Sequence, residues 1–263
     1  MTPPKHQKRL HSTPLVICLC LLAFAWGEAL ASTSAVTPAS EKTFAQLAPF
    51  GLPASAGLHP DWILDTLPQS GVPSTQFDWM VLGQERALRV QTNSSYGLIR
   101  HPWRGAHPLV IRWRWRLDQA LTQADLKTKQ GDDAAIKICL MFDQALEDIP
   151  LWERLSLQLA RQVSDKPLPS ATLCYVWDKR YAVGHQGHNP YTARVRYIVV
   201  DDDSSPQEKW IERERNVAQD FALLFGSETR GLPPVTAVVV GADSDNTQGR
   251  SLAYVQSLHW VFP

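Results

Sequence analysis

The sequence predicts an all-β chain, a jelly-roll-like antiparallel β-sandwich with short helices at its edges. Three observations predict it. Leu109–Leu117 alternates strictly, with Leu109, Ile111, Trp113, Trp115 and Leu117 on one side and Val110, Arg112, Arg114 and Arg116 on the other. Runs rich in β-branched and aromatic residues recur along the chain and give roughly eight to ten strands. Helical spacing is confined to two segments, so strands and helices do not alternate as they would in a doubly wound α/β fold.

The elements follow in chain order. Lys5, Lys8 and Arg9, the uncharged run Pro14–Trp26 and the small-x-small triplet Ala29-Leu30-Ala31 predict a signal peptide over residues 1–31, with the exported chain starting at Ser32. The apolar run is shorter than the roughly 20 residues of a spanning helix, which disfavours an uncleaved anchor. Residues 32–60, rich in Ser, Ala, Thr and Pro, read as a flexible leader with a short helix near Glu41–Leu47. The folded domain is expected over 61–263. Trp62, Phe77 and Trp79 begin its packing, and Ala87–Thr92 and Tyr96–Arg100 form strands about the Asn93-Ser94-Ser95 turn.

After the Leu109–Leu117 strand, Ala134–Phe142 places Ile136, Ile138, Leu140 and Phe142 on one face and Lys137 on the other, beside Ala135, Cys139 and Met141. Over residues 147–163 the period changes. Trp152, Leu155, Leu159 and Val163 recur at helical spacing and predict an amphipathic helix. Strands return at Ala171–Trp177 and Arg194–Val200, with a short one at Trp210–Arg213. Asn216–Phe225 reads as a second helix, its Val217, Phe221, Leu224 and Phe225 inward and Gly226 its stop. Val235–Val240 is a buried strand, and Leu252–Phe262 a closing pair of strands.

Charge and cysteine content narrow the function. Lys and Arg (26) balance Asp and Glu (26) with no basic stripe, which argues against a nucleic-acid partner. Beyond the signal peptide only Cys139 and Cys174 remain; they either pair, as an oxidising compartment permits, or stay as two buried thiols.

Several constellations could carry chemistry. Arg112, Arg114 and Arg116 together with Lys137 are expected on one side of one sheet, as a cationic trough for an acidic glycan or acidic small molecule, with Trp177 and Tyr181 as stacking platforms. The plain alternative is a solvated sheet face beside core aromatics. Asp243, Asp245 and Asn246 put three oxygen-bearing side chains in one loop, a candidate calcium site without EF-hand spacing; such loops also simply cap their own turns. No cofactor is otherwise required. Asp132 and Asp133 are paired acids, but neighbours in a strand point to opposite faces, so a second acid from elsewhere would have to complete a hydrolytic pair. His185 and His188 form a weak HxxH signal, and no serine has the context of a hydrolase nucleophile.

The order of several motifs resembles a known bacterial family. These are Pro108-Leu109-x-x-x-Trp113-x-Trp115; Asp125 through Lys129, Gly131, Asp132 and Asp133 to Phe142-Asp143; Tyr175-x-Trp177 with Gly184; Trp210 to Gly226 through Arg215-Asn216-Val217 and Asp220-Phe221; and Asp243-Ser244-Asp245-Asn246-Thr247. Together they resemble the domain family of unknown function DUF3047 over roughly residues 61–263. The resemblance implies a jelly-roll domain of the carbohydrate-binding type in architecture, and it implies no activity. The chain departs from the family in having Lys137 where an arginine is usual, Ala134-Ala135 where an aromatic residue is usual, and a long segment over 144–168.

Three classes of function follow from these readings. The first is an exported, non-catalytic binding or envelope-structural domain for a glycan or acidic ligand. The second is a glycan-cleaving or other hydrolytic enzyme using paired carboxylates. The third is a protein-interaction subunit of an envelope assembly, which a large exposed apolar patch would favour over a groove.

Overall fold

The computed structural model describes residues 45–52, 57–67, 71–105, 109–164 and 168–262. The predicted signal peptide, and the predicted leader up to Phe44, lie outside them. Among the described residues twelve strands form two sheets. They are β1 (Ile63–Asp65), β2 (Gln76–Leu82), β3 (Glu85–Asn93), β4 (Tyr96–Pro102), β5 (Val110–Gln119), β6 (Ala134–Phe142), β7 (Ala171–Trp177), β8 (Gln186–Asn189), β9 (Thr192–Asp201), β10 (Ile211–Asn216), β11 (Val235–Asp243) and β12 (Arg250–Val261). Among the described residues there are also two helices, α1 (Leu151–Val163) and α2 (Val217–Phe225), and a 3₁₀ turn at Leu146–Asp148.

The large sheet runs β1-β4-β11-β6-β7-β9-β8 and the small one β10-β5-β12-β3-β2. From β3 to β6, and again from β10 to β12, each strand lies in the sheet opposite its predecessor. That alternation, with β12 between β3 and β5 and β11 between β4 and β6, is jelly-roll connectivity. All strand pairs are antiparallel except β7 with β9, whose parallel register (Cys174↔Tyr197) is reached through the β8 excursion.

Alternation sets the core. Ile111, Trp113, Trp115 and Leu117 of β5 meet Ile136, Ile138, Leu140 and Phe142 of β6 in one cluster between the sheets. Its largest fully buried members include Trp103, Trp113, Trp115, Trp260 and Tyr175, and Trp113 stacks on Tyr175 with centroids 5.3 Å apart. In α2, Val217, Phe221 and Phe225 are buried as expected, Leu224 packs part-buried, and Asn216 caps the first turn by accepting from the Gln219 N–H at 3.0 Å.

Three expectations are corrected. The core reaches into the predicted leader, because Leu47 and Phe50 are buried and the Phe50 ring lies 4.8 Å from that of Trp62; residues 45–46 are a bend and 47 is irregular rather than helical, and 41–44 lie outside the described residues. The closing pair of strands is one strand, β12, interrupted by a bulge after Gln256 where Ser257 takes a positive φ of 53°. The third concerns sheet membership. Arg112, Arg114 and Arg116 do lie opposite the tryptophans, and Lys137 does lie opposite the isoleucines. But β5 belongs to the small sheet and β6 to the large one, with their inward faces sharing one core. The three arginines and Lys137 therefore occupy opposite outer surfaces of the sandwich, and no common trough exists.

Among the described residues no helix is long and apolar enough to cross a membrane.

Candidate functional site

The arginine row of β5 is a wet face already paired within the protein. Arg112 bonds Glu214 across the β5–β10 register, Arg114 reaches Glu85 at 3.2 Å and lies over Trp210, and Arg116 holds Asp118 through two bonds of 2.6 and 2.9 Å. Exposed pairs of this kind contribute roughly 0–1 kcal/mol each, and they leave the face close to neutral. The predicted aromatic platforms are also committed. Trp177 is buried in the core beside Trp115, its indole N–H donating to the Asp202 carbonyl at 3.2 Å. The Tyr181 hydroxyl donates to Asp125 at 2.6 Å, its ring stacks on His185 at 4.5 Å, and the Lys127 ammonium sits over it. Burial, and then the hydrogen bond to Asp125, push the Tyr181 phenol up to about 12.

The outer face of the large sheet is itself covered. Cys139, Cys174, Val176, Tyr197, Val199 and Val239 form a second apolar cluster there, with Leu126 and Tyr181 from the flanking loops packed on it. Cys139 and Cys174 are register partners in β6 and β7, with Cα atoms 4.0 Å apart, and they are disulfide-bonded. Gly187 leaves room for the buried Tyr197 hydroxyl: an added Cβ would come within 2.4 Å of it.

Lys137 emerges at one end of this face. Its ammonium donates to Asp243 at 2.6 Å, and Asp243 also accepts the Ala134 N–H at 2.8 Å. Burial alone would lower the Lys137 pKa, but the adjacent carboxylate more than reverses this and holds the ammonium protonated. Asp133 and Asp132 diverge, as alternation requires. Asp133 turns to the 244–247 loop, accepting the Asn246 and Thr247 N–H groups and the Thr247 hydroxyl. Asp132 turns outward and accepts from the Asn189 side-chain amide. The predicted calcium loop is thus a cap tied to Asp133: Asn246 donates to Asp133 and to the Asp132 carbonyl, and Asp243 already holds the Lys137 cation. Among the described residues no group of three or more His, Cys, Asp or Glu is arranged to hold a metal.

Asp132 is pushed up to about 6, mainly by burial, with Asp243 and Asp133 adding to it and Lys137 and Asn189 offsetting part. An unfolded aspartate titrates near ~3.9. Between that value and 6 the folded chain holds a proton that the unfolded chain has released, so this residue's contribution falls as pH rises through the window. Asp132→Asn, which keeps a carbonyl acceptor for Asn189, is expected to raise the melting temperature at pH 8 by a few degrees, at ~2–4 °C per kcal/mol, and to leave it unchanged at pH 4. Thermal melts at the two values check this; a gain that persists undiminished at pH 4 would contradict it.

Sequence reasoning found α1 but not its orientation. An apolar stripe at helical spacing ordinarily marks the packed face. Here Leu151, Trp152, Leu155 and Leu159 are 54, 78, 46 and 64 % exposed, and the other exposed positions of the helix (Ser156, Gln158, Gln162) carry no charge. The charged residues turn toward the body. Glu153 meets Arg194 at 2.7 Å, Arg154 reaches the Leu146 carbonyl, and Arg161 donates twice to the Leu168 carbonyl at 2.8 and 3.0 Å. Arg194 is buried and also bonds Glu228, Gln144 and the Ser170 carbonyl, while Arg196 pairs with Glu228 and lies 4.2 Å over Phe225. These inward ion pairs hold the helix by its polar side and leave its apolar side outside. The signal that could have revealed this is the pair Arg194 and Arg196 in a strand with few other charges; their partners had to come from a nearby element.

Among the described residues, fold and surface define a jelly-roll-like β-sandwich whose β5 arginines are paired and whose α1 turns an apolar face outward. The chain belongs to the family described as "Protein of unknown function (DUF3047)", whose model matches residues 61–259. Among solved structures it is similar to the K2 cleaved adhesin domain of Lys-gingipain, at 7% identity over 83% of this chain and 99% of that one, with a TM-score of 0.35, a likeness too slight to carry fold or function across. No curated protein matches the chain.

Proposed function

We propose that this protein is an exported, non-catalytic interaction subunit that works outside the cytoplasm within an envelope assembly. The observation that carries the reading is the outward, uncharged apolar face of α1. Exposed apolar area of this kind is costly to a chain working alone and is covered in a complex. The residues named for ligand binding are divided between opposite surfaces and already paired, which removes the support for an anion trough. Native-size measurement of envelope extracts tests the proposal. The wild-type chain is expected to migrate in a complex, and Trp152→Ser/Leu155→Ser/Leu159→Ser to migrate as a lone, folded chain; equal migration of both would overturn it.

Export is supported by the charged start, short apolar run and Ala29-Leu30-Ala31 site. The Cys139–Cys174 bond, of a kind that persists in oxidising compartments, supports it as well. The intact mass of the envelope form is expected to correspond to a chain beginning at Ser32. A full-length species resistant to carbonate extraction would contradict export.

A further inference from the structure

We propose that the occupant of the α1 face is α1 of a second copy of this chain, packed antiparallel across a two-fold axis. This deepens, and rests on, the reading of α1 as the working surface. A two-fold contact needs a patch that is complementary to itself. The exposed stripe of α1 is uncharged along its length, so two copies meet without burying an ion. Its ends differ in charge. Exposed Asp143, Glu147 and Asp148 precede the helix, and Arg161 closes its last turn. Arg161 is held to the Leu168 carbonyl on the body side, so the acids decide the direction: antiparallel packing keeps the two acidic ends apart, whereas parallel packing would set acid against acid. The helix dipoles also oppose each other favourably in the antiparallel arrangement.

Size sets the strength. The four exposed apolar side chains present roughly 500 Å² per copy, judged from typical side-chain areas. The total of about 1,000 Å² lies below the 1,200–2,000 Å² usual for tight complexes, so a reversible dimer in the micromolar range is expected. A lipid surface fits less well. Interfacial helices keep a Lys- and Arg-rich face toward the headgroups, but the charged side of α1 is packed on the domain, and its N-terminal flank is acidic.

Ser156 lies on the exposed face between Trp152 and Leu159, near the middle of the stripe, and Gln162 lies at its end. In a centred antiparallel pair the two copies of position 156 face each other. The two copies of position 162 stand roughly 18 Å apart along the axis, at 1.5 Å per residue, beyond disulfide reach. In the full chain with Cys18→Ser and Cys20→Ser, Ser156→Cys is expected to cross-link into dimers under mild oxidation, and Gln162→Cys at least tenfold less. Sedimentation equilibrium of wild type should show a dimer that Trp152→Ser/Leu155→Ser/Leu159→Ser weakens by at least 100-fold. Equal cross-linking at both positions, or a wild-type chain monomeric throughout the micromolar range, overturns the proposal. If that monomeric chain binds phosphatidylcholine vesicles and the triple variant does not, the occupant is lipid and the two-fold contact is wrong. If it still migrates in a native complex that the triple variant lacks, the interaction function stands and only the second copy as partner is wrong. Should the triple variant fail to fold, the paired cysteine variants decide alone.

Discussion

Glu228→Ala is expected to destabilise the protein by about 3–5 kcal/mol, the cost of removing one partner from a buried charge cluster. The Glu228 side chain is 4 % exposed and bridges Arg194, itself 5 % exposed, and Arg196. Its loss leaves two guanidiniums in a dry site. Arg194 would keep Gln144, the Ser170 carbonyl and the more exposed Glu153, none of which restores the missing charge in the interior. Glu228→Gln is expected to recover only part of the loss, because one amide oxygen stands in for two carboxylate oxygens and balances neither cation. Since folded domains are stable by only about 5–15 kcal/mol, the drop should be plain in urea unfolding. Glu153→Ala, at the wetter rim of the cluster, should cost about 1 kcal/mol, because Arg194 retains Glu228. Equal losses for the two substitutions would show that the cluster is not organised around Glu228.

Trp115→Ala is expected to cost about 4 kcal/mol, and comparison with Trp115→Phe divides that cost by cause. The indole is fully buried between the sheets, its ring 5.4 Å from Trp113 and 5.8 Å from Trp177, and its N–H donates to Asp201 at 2.8 Å. Asp201 is completely buried and also holds Arg213 of β10, tying the large sheet to the edge of the small one. Phenylalanine keeps most of the apolar contact and loses the hydrogen bond, which should cost about 1–3 kcal/mol. Alanine adds the cavity. If the two variants melt together, the Asp201 bond rather than ring packing dominates at this position.

Local pattern in the sequence determined the class of fold, the main strands, the helices α1 and α2, and, for β5 and β6, which side faces inward, although Leu109, read on the inward side, lies exposed just before β5. Period two settles orientation within one strand, and it did so for Trp113 and Trp115 in β5 and for Lys137 in β6, because burying an indole or wetting an ammonium is a property of the residue itself. The motifs from Pro108-Leu109 to Asp243–Thr247 likewise carried the family. Tertiary structure alone decided what these elements face. Sheet membership is set by which distant backbone supplies the hydrogen bonds, and jelly-roll connectivity sends β5 and β6, neighbours in sequence, to opposite sheets; the arginines and Lys137 were parted by that choice. Trp177 shares the Leu173 and Tyr175 side of β7, which faces the core between the sheets, and the other side of β7 is buried as well, so alternation there has no wet side to report. In α1, spacing told which residues share a face and not where the face points. That was decided by Arg194 and Arg196, whose need for buried partners draws Glu153 inward and leaves Trp152, Leu155 and Leu159 to the outside.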